Sequence, residues 1–143
     1  MAKRSWLILD EGRASALSAL CETIVPGSVR VEPAVYIDAA LAGMDAAGRD
    51  AALAAIDSLA DVADGGTEAL GDRAAGPEFM AVRALAIEAF YSDFVAPGAE
   101  GPGAWQEIDF QFPLASRVQH DWSYLGLPET GRSSASPTER PRI

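Results

Sequence analysis

Four stretches of this chain place apolar residues three and four positions apart, and glycine or proline interrupts each gap between them. A period of 3.6 residues buries one face of a helix, whereas a half-buried strand needs strict alternation, and alternation here is confined to a weak IDFQF pattern. The first stretch, DEGRASALSALCETIVPG, sets Ala14, Leu17, Leu20, Cys21 and Ile24 on one face, with Asp10 as N-cap and Pro26-Gly27 as the stop. The second, EPAVYIDAALAGM, offers Pro33 for the first helical position, aligns Ile37, Leu41 and Met44, and reaches its weak point or end at Gly43. The third, DAAGRDAALAAIDSLADVADGG, is the most amphipathic: Leu53, Ile56, Leu59 and Ala63 turn inward, Asp50, Asp57, Asp61 and Asp64 turn outward, and Gly65-Gly66 closes it.

After a glycine-bearing connection with room for one helical turn near residues 67 to 70, the fourth stretch begins at about Pro77. It carries two adjacent stripes: Phe79, Val82, Ala86, Ala89 and Phe90, and beside them Met80, Ile87, Tyr91 and Phe94. Two such stripes cover more than half a helix, so this element is either central in a bundle or covered on a second side by something else. Beyond Phe94 the prolines and glycines of VAPGAEGPGAW forbid regular structure. They open an irregular aromatic segment reaching Gly126, with room for a short helix over 114 to 124. The residues after it are polar and proline-bearing. The expected fold class is all-α: a small bundle of about four to five helices over residues 1–126, followed by an extended tail over 127–143.

Charge and cysteine usage narrow the function classes. Against 11 basic residues stand 21 acidic ones, a net charge of -10. A field of that sign repels phosphate backbones and anionic lipid heads, so neither nucleic acid nor a membrane surface is an expected partner. The single cysteine, Cys21, allows no internal disulfide and no thiolate metal site, and its place on the apolar face of the first helix suits a small buried hydrophobe. In MAKRSWLIL the apolar run from Trp6 to Leu9 is cut by Asp10 and Glu11, shorter than the roughly 7 to 15 residues of an export signal. No stretch nears the roughly 20 apolar residues of a spanning helix, and the expectation is a cytoplasmic chain without membrane insertion.

Catalytic motifs are equally sparse. GGTEALG and GAEGPG are glycine-rich in composition but have no preceding strand and no phosphate-binding lysine, so no nucleotide or other cofactor site is expected. His120, beside Asp121, has the makings of a base held by a carboxylate, yet a lone histidine in an irregular segment reads more readily as structural. Asp57, Asp61 and Asp64 share a helix face, which reads as a solvated surface before it reads as a metal site. What stands out is aromatic: eight of the eleven rings fall between residues 90 and 124. The preceding helices are alanine-rich and offer shallow surfaces, while Trp, Tyr and Phe are enriched at interface centres. Tyr91, Phe94, Trp105, Phe110, Phe112, Trp122 and Tyr124 are therefore the expected partner-facing residues.

The order ALSALCETIVPG, then AVYIDAALAG, then FMAVRALAIEAFYSDF, a Gly/Pro loop and AWQEIDF resembles the gluconate 2-dehydrogenase subunit 3 family over roughly residues 10 to 126. These are small helical subunits that accompany flavin-dependent sugar and sugar-acid dehydrogenases. The resemblance implies a non-catalytic subunit that binds a large FAD-dependent oxidoreductase of the glucose-methanol-choline type and assists its stability and maturation in a chaperone-like way. FAD would belong to the partner and none to this chain. Members often carry a twin-arginine export signal; its absence here points to a cytoplasmic heteromeric complex. The alternative expectation is an independent helical domain that binds a small molecule or peptide in an aromatic pocket.

Overall fold

A computed structural model describes residues 4–110 of the chain, and these contain six α-helices and no strand. The all-α expectation holds. The described residues belong to a compact unit that ends at Phe110; the expected boundary at 126, the helix over 114 to 124 and the tail lie outside them.

The first helix, α1 (Glu11–Ile24), starts where Asp10 caps it, accepting the Arg13 amide at 2.8 Å. The capping carboxylate removes one of the orphan amide donors of the first turn. Leu17, Leu20 and Cys21 on its inner face are fully buried. Gly27, at φ +85°, turns the chain in the left-handed conformation that glycine adopts without strain. Glu22 reaches across this turn to accept the amides of Gly27 and Val29, at 2.6 and 3.0 Å. A 3-10 turn over Ser28–Val31 then leads into α2 (Pro33–Gly43), which has proline at its first position as the sequence suggests.

Helix α3 (Ala46–Leu59) is capped by Asp45, which accepts the Gly48 amide at 2.7 Å. It ends at Leu59, six residues short of the glycine pair expected to close it. Its last turn is held from outside, because the Arg73 guanidinium donates to the Ser58 carbonyl and pairs with Asp61 at 2.7 Å. The chain can therefore leave the helix early, and Ala63 still reaches the core from a 3-10 turn over Ala63–Gly65. A short α4 (Gly66–Leu70) occupies the single turn allowed there, and a further 3-10 turn over Gly71–Ala75 precedes α5 (Pro77–Tyr91).

Helix α5 is the centre of the bundle and packs against α1, α2 and α3. Val82, Leu85, Ala86, Ala89 and Phe90 are buried, so the first expected stripe, joined by Leu85, forms the core contact. Leu17, Leu20, Ile37, Leu41, Ile56 and Leu59 meet it from the other helices without measurable exposure beyond a few per cent. Each such side chain stabilises the fold by about 1.5–3 kcal/mol through removal of apolar surface from water. The second stripe is not covered by the described residues along its length: Met80 and Tyr91 are exposed, while Ile87 and Phe94 are half-buried.

The segment before α1 is bound to the bundle by one residue. Asp38, in the middle of α2 and only 5% exposed, accepts the amides of Leu7, Ile8 and Leu9 at 2.7, 2.9 and 2.9 Å. Three backbone donors thus neutralise a carboxylate that burial alone would penalise. The clasp seats Leu9 in the core, with Trp6 and Ile8 against it, and leaves Leu7 outside.

Candidate functional site

The chain leaves α5 through Asp93, at φ +63°, a left-handed conformation that aspartate tolerates better than most residues. That turn sends the Pro/Gly loop back over the end of the bundle, where the Ala96 amide donates to the Val31 carbonyl at 3.1 Å. A short helix missed in the sequence, α6 (Ala104–Glu107), follows. Asp93 organises its start by accepting the Trp105 amide at 2.9 Å. Gly103 is required beside it: a methyl group there would lie 2.3 Å from Oδ1 of Asp93.

Trp105 closes the corner. Its indole N–H donates to the Tyr91 carbonyl at 3.0 Å, and its own carbonyl accepts the Phe110 amide at 2.8 Å. The Trp105 and Phe110 rings meet edge to face, 5.1 Å apart at 67°, and Phe90 and Tyr91 make a similar contact at 5.2 Å. Beneath them Val31, Phe90 and Ala104 form a small second core with Val25 and Trp105 packed on it. Arg30 braces the arrangement from the α1–α2 turn. Its guanidinium lies 5.3 Å from the Phe90 ring centre, donates to the carbonyls of Pro102 and Gly27, and pairs with Glu107.

The outside of this corner is open. Tyr91 is 56% exposed, Ile108 69% and Phe110 48%. A rigid backbone thus presents several large apolar side chains to solvent near one another, the kind of surface that marks an interaction site when it is contiguous. Of the residues expected to face a partner, Tyr91, Trp105 and Phe110 come together here. Phe94 is partly spent inward, its ring 5.5 Å from that of Tyr36. Phe112, Trp122 and Tyr124 lie outside the described residues, as does His120. Arg30 and Asp93 were missed because their roles depend on partners far along the chain; the one local signal was an aspartate two residues before a Gly/Pro loop.

Elsewhere two arginines form ion pairs that join neighbouring elements. Arg13 grips Asp57 with two donors, both at 2.8 Å, joining α1 to α3 and holding the Asp57 carboxyl below its ordinary range. Asp61 is held down likewise by Arg73. Asp57 in α3 and Asp61 just beyond its end are thus ion-paired rather than merely solvated, and among the described residues no cluster suited to a metal ion occurs. Burial pushes the Cys21 thiol up to about 12, which keeps it protonated and unreactive. A shallow groove of about 400 Å³ runs between Arg4, Trp6, Val29, Glu32 and Val35. The buried Trp6 indole N–H finds no acceptor among the described residues. No helix among the described residues is long and apolar enough to cross a membrane.

Fold and site together define a small all-α protein whose helical core carries a braced, outward-facing aromatic corner at one end. No family model, no curated protein and no solved structure matches the chain.

Proposed function

We propose that this chain is a non-catalytic accessory subunit that binds and stabilises a large FAD-dependent oxidoreductase acting on sugars, polyols or glycosides. The observation that carries the reading is the corner formed by Tyr91, Trp105, Ile108 and Phe110. Its backbone is fixed by Asp93, Arg30 and the indole hydrogen bond, while Tyr91, Ile108 and Phe110 are about half exposed or more. Fixing side chains before binding lowers the entropic cost of association, and exposed aromatics in a fixed frame are the residues that dominate interface energies. The resemblance of the α1, α2, α5 and loop sequences to the gluconate 2-dehydrogenase subunit 3 family supplies the kind of partner. Cytoplasmic residence and a glucose-methanol-choline type flavoprotein belong to the same proposal.

Co-expression with a glucose-methanol-choline type flavoprotein tests it. The expected result is a complex of fixed stoichiometry carrying flavin absorbance, with the flavoprotein less soluble when expressed alone. A flavoprotein that is equally soluble, active and unbound without this chain would overturn it. The groove at Trp6 favours a second reading, a small-molecule binding domain, through its unpartnered indole donor. Ligand-dependent quenching of Trp6 fluorescence with the corner unaffected would support that reading.

A further inference from the structure

Among the described residues no helix covers the second apolar stripe of α5 along its length. Met80 and Tyr91 on it are 49% and 56% exposed, Ala84 is exposed and Ile87 is half-buried. Spaced four, three and four apart, these residues line up as the a and d positions of a heptad, while Val82, Leu85, Ala86 and Ala89 on the opposite face are buried in the bundle. Such a line is the seam along which a second helix packs, and the small Ala84 in its middle lets the backbones come close. The flanks of the seam carry opposite charges, Arg83 on one side and Glu88 on the other, both exposed. Arg83 makes no ion pair with any described residue. Glu88 accepts the Tyr36 hydroxyl through Oε1 at 3.0 Å, which leaves Oε2 for another donor.

Those charges decide what fits. A two-fold axis parallel to α5 sets the Arg83 flank of one helix against the Glu88 flank of the other. The five residues between them amount to about 7.5 Å along the axis, within reach of an arginine side chain. Two equivalent ion pairs then close the seam from both sides. An antiparallel arrangement sets like flank against like flank and brings Arg83 beside Arg83, with repulsion in place of attraction. The face is complementary to itself in one orientation, which is what a two-fold interface requires. We propose that a second copy of this chain docks on α5 with the two helices parallel. Met80, Ala84, Ile87 and Tyr91 meet their counterparts in the seam, and Arg83 of each copy pairs with Glu88 of the other. This pairing is independent of the accessory-subunit reading. Because Tyr91 belongs to both the seam and the aromatic corner, the seam is best tested at residues that the corner lacks.

Sedimentation equilibrium of the full chain measures the pairing, at roughly 0.15 M salt, where repulsion between copies of net charge -10 is screened beyond about 8 Å. The seam is short, so the expected dimer has a dissociation constant of about 100 µM or below, read over about 10 µM to 1 mM protein. Met80→Glu, at an exposed side chain, should weaken it about tenfold or more by placing a charge in the seam. Arg83→Glu and Glu88→Arg should each weaken it about threefold to tenfold, and the two together should restore the parental affinity. Glu88→Arg removes the acceptor of the Tyr36 hydroxyl in the single and the double variant alike, so the restoration reports the pairing and not that bond. Orientation is read by Met80→Cys, because a parallel pair brings this position against itself and an antiparallel one does not. Mild oxidation should join the two copies through Met80→Cys and leave Ala51→Cys, on the exposed side of α3, unjoined; the native Cys21 is buried. A chain still monomeric at about 1 mM would overturn the pairing. So would a dimer indifferent to Met80→Glu, charge reversals that fail to rescue one another, or a dimer in which Met80→Cys stays reduced.

Discussion

Replacing Asp38 by alanine should loosen the molecule's first segment and lower its stability. The carboxylate accepts three amides, and one of them, that of Leu9, is buried while those of Leu7 and Ile8 are partly so. A hydrogen bond to a charged acceptor contributes about 1.5–3 kcal/mol where burial is complete, and an amide left near water loses less. Counting Leu9 at the upper part of that range and discounting the other two gives a loss of about 3 kcal/mol. For a domain of this size that corresponds to a fall in Tm of roughly 10–15 °C. The milder change Asp38→Asn should recover only part of this, since the carboxamide turns a donor toward donors. Circular dichroism melting gives the magnitude, and hydrogen exchange at Leu7, Ile8 and Leu9 gives the location. The control is Leu7→Ala, a change at a side chain 68% exposed, which should be silent. If Asp38→Ala melts within about 2 °C of the parent and the three amides stay protected, the clasp does not hold this segment and the reasoning fails.

Further outcomes follow from the same geometry. Gly103→Ala should push Asp93 off the Trp105 amide and cost about 1–2 kcal/mol, seen as a lower Tm together with faster exchange at Trp105. Cys21, whose thiol is raised to about 12 by burial, should resist alkylation at neutral pH until the protein is unfolded; rapid labelling of the folded chain would contradict its packing. The Arg13–Asp57 pair lowers the Asp57 pKa, so its stabilisation is present above the unfolded carboxylate pKa and is lost as pH falls through the lower folded value. Because both groups are substantially exposed, Asp57→Asn should cost only about 0.5 kcal/mol at neutral pH, shrinking in high salt and vanishing in acid.

Much of the scaffold was legible in the sequence. Asp10 at a helix start, Pro33 and Pro77 at first positions, and apolar residues every three or four places act within one turn, and local rules read them correctly. What local rules miss is contact between distant residues. Asp38 looks like a polar residue on a helix surface, yet the amides it accepts lie 29 to 31 positions away. α3 ends at Leu59, where Arg73 from further along the chain donates to the Ser58 carbonyl, and not at Gly65-Gly66. The crowding of rings near the α5 end was visible too, but not how they divide. Phe90 and Phe94 turn inward, Tyr91 and Phe110 outward, and Trp105 does both, because the return of the loop over Val31 decides which faces are covered.

Trp105→Ala alone cannot locate the interface, because it removes a core contact as well as an exposed ring. The most direct measurement pairs the melting curve of each isolated variant with its affinity for the proposed flavoprotein partner, for Tyr91→Ala and Phe110→Ala. Both side chains are about half exposed, so each variant should melt within a few degrees of the parent. If the corner is the docking surface, at least one should bind about thirtyfold more weakly, the roughly 2 kcal/mol of a ring lost from an interface centre. Parental affinity for both variants, at parental stability, would contradict the central claim.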